Sequence, residues 1–175
     1  ALSMSNVHLV RSANRVFLID SGGRDDLPRL AAALAGEGVR LEDVAAVILT
    51  HGHADHAGLA AEIRRRSGAI LIAGRGDQAM LAAGANEPVT ATSFGARLLL
   101  LLPIEASFEP FRADVEVEAE LDLRAYGLPG RALSMPGHTP GSLAVVLDDG
   151  RAFAGDMILG GWLGGALLPH RPGEH

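Results

Sequence analysis

Apolar and polar positions alternate along this chain in short blocks, and the block lengths separate strands from helices. Val7–Val10 and Val16–Asp20 flank the polar turn Ser12–Arg15 and predict a β-hairpin. Leu27–Ala35 is rich in Ala and Leu and is followed by Gly36, which predicts a helix with a glycine stop. Val44–Leu49 is a continuous apolar run, as in a strand buried on both faces. Leu59–Arg66 reads as a helix, Ala69–Ala73 as another buried strand, and Gly76–Ala83 as a short helix.

The second half is more purely β. Val115–Val117, Leu121–Leu123 and Ala132–Met135 predict strands, and Leu143–Leu147 with Arg151–Ala154 predicts a hairpin about Asp148-Asp149-Gly150. Two loops interrupt the pattern, Thr50–Gly58 and Pro136–Ser142. Residues 84–113 are the least readable stretch. Leu98–Leu102 fits either helix or strand, and Pro103 and Pro110 break any regular element beyond it. There is no repeat and no linker, so residues 1–175 are expected to form one domain, a layered α/β protein with two sheets and helices outside.

Composition narrows the function classes. A chain of 175 residues with 48% hydrophobic content can bury about two-thirds of its unfolded surface. The net charge of -6 is spread along the chain, which argues against a nucleic-acid partner. No apolar run approaches the roughly 18–20 residues that a membrane span needs. The absence of cysteine excludes disulfides, a thiolate nucleophile and Cys-containing zinc sites, and it fits a cytoplasmic location. Ala1–Ser5 has no basic-then-apolar targeting pattern.

The chemistry is concentrated in His51-Gly-His53-Ala-Asp55-His56, directly after a buried strand. Imidazole and carboxylate are ligands preferred by zinc and iron, and a strand end followed by a glycine-containing loop can fold them around one point. Read as an ordinary solvated loop, the same segment would set several titratable groups against one another near neutral pH. His138 lies in Pro136-Gly137-His138-Thr139-Pro140-Gly141, again after an apolar strand. Asp156 follows Gly155 at a third strand end, where it could bridge two cations. Asp20, before Ser21-Gly22-Gly23, reads equally as an Asx-turn residue or as an acceptor orienting a metal-bound histidine.

Taken together, Leu18–Gly22, Thr50–Gly58, Gly137–Ser142 and Ala154-Gly155-Asp156 resemble the metallo-β-lactamase-fold superfamily, in particular its glyoxalase II-like branch. The resemblance implies an αββα four-layer sandwich with metals at one edge between the sheets. It implies zinc, two ions per chain where the second site is complete. His51, His53 and His138 would hold the first ion, Asp55 and His56 the second, and Asp156 both. It further implies hydrolysis of an ester, thioester or lactone by a metal-bound hydroxide, with Asp55 aiding protonation of the leaving group.

The sequence departs from this pattern in one place. The family supplies a further histidine to the second metal after another helix and strand, whereas this chain ends nineteen positions beyond Asp156. A missing C-terminal helix and strand is therefore expected, with His170 and His175 as nearby candidates for that ligand. Apolar surface left uncovered would favour a homo-oligomer.

Other branches fit less well. The lack of Cys argues against β-lactamases that use a thiolate ligand, and His53 argues against the diiron oxygen reductases. The lactonases carry a Tyr where Met157-Ile158-Leu159 stands. Two alternatives stay open. One is a mononuclear iron dioxygenase resembling the persulfide dioxygenases, with His51, His138 and Asp156 as ligands. The other is a binding protein with a crippled site. The substrate is expected to be a small molecule. Phe108 and Phe111 read as core or as an apolar wall of the site.

Overall fold

The structure is a computed structural model that describes residues 5–87, 107–160 and 167–169. The hairpin forms as expected. Strands β1 (His8–Ser12) and β2 (Arg15–Ile19) pair antiparallel, with Leu9 opposite Leu18 and Val10 opposite Phe17. Helix α1 (Leu27–Gly36) then leads to β3 (Val44–Ile48). The glycine stop is displaced from its expected position. Gly36 is the last helical residue, and Gly38, at φ +69°, takes the left-handed turn out of the helix.

A four-residue helix α2 (Ala54–Ala57) and then α3 (Ala60–Ser67) connect β3 to β4 (Ile70–Gly74). A short 3-10 turn, Arg75–Asp77, opens α4 (Gln78–Ala83). Strand β5 (Val115–Val117) completes a five-stranded sheet of order β1-β2-β3-β4-β5, in which β2 to β5 run parallel. The crossovers are helical because parallel neighbours cannot be joined by a tight turn.

A second sheet is wholly antiparallel. It comprises β6 (Glu120–Asp122), β7 (Gly130–Ser134), β8 (Leu143–Leu147) and β9 (Ala152–Phe153), in that order. Leu123 belongs to a 3-10 turn and not to the strand predicted there, because Asp122 caps the turn by accepting from Arg124 N at 3.0 Å. The predicted strand Arg151–Ala154 is trimmed to β9. A separate ribbon pairs β10 (Ile158–Gly160) with β11 (Leu167–Pro169).

Side-chain alternation assigns each face of the first sheet. Phe17, Ile19, Ile48 and Ile72 point toward the second sheet and pack with Leu123, Leu143, Val145 and Leu147. Leu18, Val47, Leu49 and Leu71 point the other way, against Leu30 and Leu34 of α1 and Ile63 of α3. A register shift between Val16 and Phe17 lets Val44 and Ala46 face opposite cores although they are two apart. Each fully buried Leu or Ile contributes about 1.5–3 kcal/mol, so these two cores fix how the sheets stack.

The architecture is a mixed α/β sandwich of the expected type. Its helix, sheet and sheet layers lie among the described residues, and no helix covers the outer face of the second sheet there. Phe108 and Phe111 are buried in the helix-side core at 6% and 5% exposure, so they line no site. Leu98–Leu102, His170 and His175 lie outside the described residues. Among the described residues, no helix is long and apolar enough to cross a membrane.

Candidate metal centre

Strands β2, β3 and β4 run parallel and end at the same edge of the first sheet, the end where open α/β sheets place their sites. Asp20 follows β2, Thr50 and His51 follow β3, and Asp77 follows β4. The second sheet meets this edge with the loop after β7, which carries His138, and the turn after β9, which carries Asp156. Leu143 N donates to Thr50 O at 2.7 Å and ties the two sheets there.

The segment Thr50–Gly58, read from sequence as a loop, contains α2. Four residues are too few for a periodicity to show, and side chains from elsewhere hold this helix. Asn86 Oδ1 accepts from Ala54 N at 2.7 Å at its start. At its end, Ser21 Oγ donates to His56 O at 2.8 Å and accepts from Leu59 N at 3.1 Å.

Two groups of donor atoms converge at the edge, each with its atoms within 4.8 Å of one another. They are His51, His53 and His138, and His51, His56 and Asp156. The first is the trio expected from sequence for one ion. The second contains His56 and Asp156 as expected, but His51 takes the place given to Asp55. Asp55 sits at the open side with a quarter of its side chain exposed, its Oδ2 3.5 Å from His56 Nε2. Asp156 lies between the groups, 3.3 Å from His56 Nε2 and 3.7 Å from His138 Nε2.

These donors suit a divalent metal. His51 Nε2 is buried and has no hydrogen-bond partner among the described residues, a cost of about 1–3 kcal/mol unless something binds it, and His56 Nε2, equally buried, lies beside the carboxylates of Asp55 and Asp156. His138 Nε2 and His53 Nδ1 approach to 3.0 Å. Four imidazole rings pack with centroids 4.0–4.8 Å apart. Neutral imidazoles and carboxylates without sulfur suit zinc or iron.

Asp20 is the orienting acceptor of the two readings open from sequence. It is 2% exposed. Its Oδ1 accepts from Thr50 N at 2.7 Å, and its Oδ2 accepts from Thr50 Oγ1 at 2.8 Å and from His56 Nδ1 at 2.9 Å. An ionised carboxylate only accepts, so His56 must donate from Nδ1. The proton that a bound metal would displace is therefore the one on Nε2, whose lone pair would then be aimed into the cluster.

Charge states follow from this packing. Burial, together with the charges of His56, His53 and His138, pushes His51 down to about 2, so it is a neutral ligand throughout the physiological range. Burial also lowers His53. Burial opposes charge on His56 as well, but Asp156, Asp20 and Asp55 outweigh it and hold His56 up to about 10 without metal. Contact with His56 pulls Asp156 down to about 2.

The metal-free chain is therefore expected to be most stable near pH 6.5. Below 6.5 the unfolded chain takes a proton on His51 that the folded chain refuses, so stability rises with pH up to that point. Above 6.5 the folded chain keeps a proton on His56 that the unfolded chain loses, so stability falls as pH rises toward 10. Urea unfolding of chelator-treated protein between pH 5 and 9 checks this; saturating metal is expected to flatten the upper limb, since it displaces the His56 proton.

Gly155 explains how Asp156 reaches the centre. At φ +52° it takes a left-handed turn, and a Cβ there would lie 2.4 Å from Thr50 Oγ1. Gly155→Ala is expected to displace Asp156 and Thr50, at a cost of about 1–3 kcal/mol. At least tenfold weaker metal binding in a competition titration with a chromophoric chelator is the expected readout.

Sequence reasoning passed over Asp77, Asn86, Ser21, Thr50 and Thr139, all polar side chains that support the centre. For Asp77 a signal existed, an Asp in a glycine turn after a buried strand, the same signal that drew attention to Asp20 and Asp156.

The metallo-β-lactamase superfamily model matches residues 2–167. A hydroxyacylglutathione hydrolase of Anaeromyxobacter dehalogenans is 30% identical over 158 residues, covering 90% of this chain and 46% of that protein. One from Haemophilus influenzae is 29% identical, covering 87% and 65%. Among solved structures, a metallo-β-lactamase of Cronobacter sakazakii superposes with a TM-score of 0.65 at 25% identity, covering 85% of this chain and 50% of that one. A subclass B3 metallo-β-lactamase of Bradyrhizobium japonicum gives 0.64 at 24% identity, covering 85% and 53%. The chain thus spans about half the length of several of the relatives it matches.

Proposed function

Because the chain belongs to the metallo-β-lactamase superfamily, we propose that it is a metal-dependent hydrolase that uses zinc to cleave a thioester, ester or lactone. The observation that carries this reading is the convergence of donor atoms from His51, His53, His56, His138 and Asp156 at one edge, with His51 Nε2 buried and without a hydrogen-bond partner among the described residues. The thioester is favoured because several relatives are hydroxyacylglutathione hydrolases. The negative net charge and the lack of cysteine suit a small-molecule substrate and the cytoplasm.

When bound, zinc lowers the pKa of water toward ~7 and polarises the carbonyl under attack. His51, His53 and His138 would hold the first ion in this reading, and His56 with Asp55 the second, with Asp156 placed between the two groups. Asp20 keeps the proton of His56 on Nδ1, so Nε2 stays free to bind. Asp55, on the open side, delivers a proton to the leaving group.

Purified protein stripped of metal and reloaded with zinc or iron(II) tests the reading on a hydroxyacyl-glutathione thioester and on a simple ester. Turnover restored by zinc and removed by chelator is expected. No turnover under any loading would overturn the reading. Oxygen consumption with a persulfide and iron(II) would instead favour the dioxygenase, whose ligands His51, His138 and Asp156 also lie together at this edge.

A further inference from the structure

The centre is built from two loops on different sheets, and a hydrolytic site needs them in fixed register. One buried carboxylate joins them. Asp77 is 1% exposed and ends the 3-10 turn after β4. Its Oδ2 accepts from Gly52 N at 2.8 Å, the amide between His51 and His53. The same oxygen accepts from Thr139 Oγ1 at 2.8 Å, the residue after His138. Its Oδ1 accepts from Gly141 N at 2.7 Å, in the same loop as His138. These three bonds fill most of the carboxylate's accepting capacity.

The surrounding residues are shaped around this group. A Cβ on Gly141 would lie 2.5 Å from Asp77 Cγ, and one on Gly52 would lie 3.1 Å from Asp77 Cβ. Thr139 is itself held, donating its amide to Ser142 Oγ at 2.9 Å. The backbone bond from Leu143 to Thr50 ties the strands behind the centre, whereas Asp77 ties the loops that carry the ligands.

We infer that Asp77 is a positioning residue that sets the distance between the imidazoles of His51 and His53 and that of His138, and so sets the geometry of the first metal site. The inference rests on the proposed metal site but concerns a residue that touches neither metal nor substrate.

Asp77→Asn tests it with least change of shape. The amide keeps one acceptor but turns an NH2 group toward Gly52 N–H or Gly141 N–H, so the loops lose one tie. Zinc affinity 10–100-fold weaker than that of the unaltered chain is expected, with shifted visible bands when cobalt(II) saturates the site. The band shift reads ligand geometry, which a merely stabilising residue would leave unchanged. If Asp77→Asn does not fold, Thr139→Val removes only the tie to the His138 loop. It is expected to weaken zinc binding at least threefold and to shift the cobalt(II) bands in the same sense.

A folded Asp77→Asn, or Thr139→Val in its place, that binds zinc within twofold of the unaltered chain with the same cobalt(II) spectrum would overturn the inference while leaving the metal site standing. An unaltered chain that binds no zinc would overturn the proposed function and this inference with it.

Discussion

Replacing His51 with alanine is expected to empty the first metal position. His51 lies with His53 and His138 in one donor group and with His56 and Asp156 in the other, but its imidazole offers one lone pair to the cluster and so serves one ion. Structural zinc sites bind with roughly 10–16 kcal/mol shared among about four ligands, so one ligand is worth about 3 kcal/mol, on the order of 100-fold in affinity. His53→Ala removes a ligand from the same position, whereas His56→Ala removes one from the second. Elemental analysis of the three variants after equal zinc loading separates the cases. Each should lose part of the metal content of the unaltered chain, and a double variant, His51→Ala with His56→Ala, should retain almost none. Full retention by His51→Ala would show that His51 is not a ligand.

Asp20→Ala should be the most destabilising single change at this edge. It leaves Thr50 N, Thr50 Oγ1 and His56 Nδ1 without their acceptor in a buried setting. Thr50 Oγ1 can turn to His51 Nδ1, 3.2 Å away, so two donors carry most of the cost. The expected loss is about 3–5 kcal/mol, a large share of the roughly 5–15 kcal/mol that holds a domain folded. It corresponds to a fall in Tm of roughly 10 °C.

Asp20→Asn separates stability from function. Asparagine tolerates the left-handed backbone at this position, φ +63°, and its Oδ1 can still accept from Thr50 N. Its NH2 would face His56 Nδ1 and drive the proton to Nε2, where it blocks the metal. A small loss of Tm with a large loss of the second metal is therefore expected, read by thermal unfolding beside metal analysis. Normal metal content in Asp20→Asn would mean that Asp20 does not set the His56 tautomer.

How much was legible in the sequence depended on how local each signal was. His51, His53, Asp55 and His56 were readable because they crowd into six positions after a buried strand, so no long-range contact was needed to suspect a metal. His138 and Asp156 were each ordinary loop residues taken alone, and only the order of the motifs connected them to the first cluster. The closeness of His51 and His56, with ring centroids 4.0 Å apart, was not readable, because it depends on how α2 turns His56 back toward β3.

Asp77 was hidden for the opposite reason. It is a lone carboxylate in a glycine turn, and its three partners are 25, 62 and 64 positions away. The fold was legible where apolar runs were continuous, as in β3, β4 and β8. It was misread where contacts from elsewhere decided a short element, as with α2, or where a turn claimed a strand's last residue, as at Leu123.

The most direct test of a metal-dependent centre is the metal content of the purified chain, measured by elemental analysis with and without added zinc. Between one and two zinc ions per chain are expected, two if His56 and its neighbouring carboxylates also bind and one if only His51, His53 and His138 bind tightly. A chain that takes up no metal under any loading would contradict a metal-dependent centre and leave the buried Nε2 of His51 with no role in the chemistry proposed.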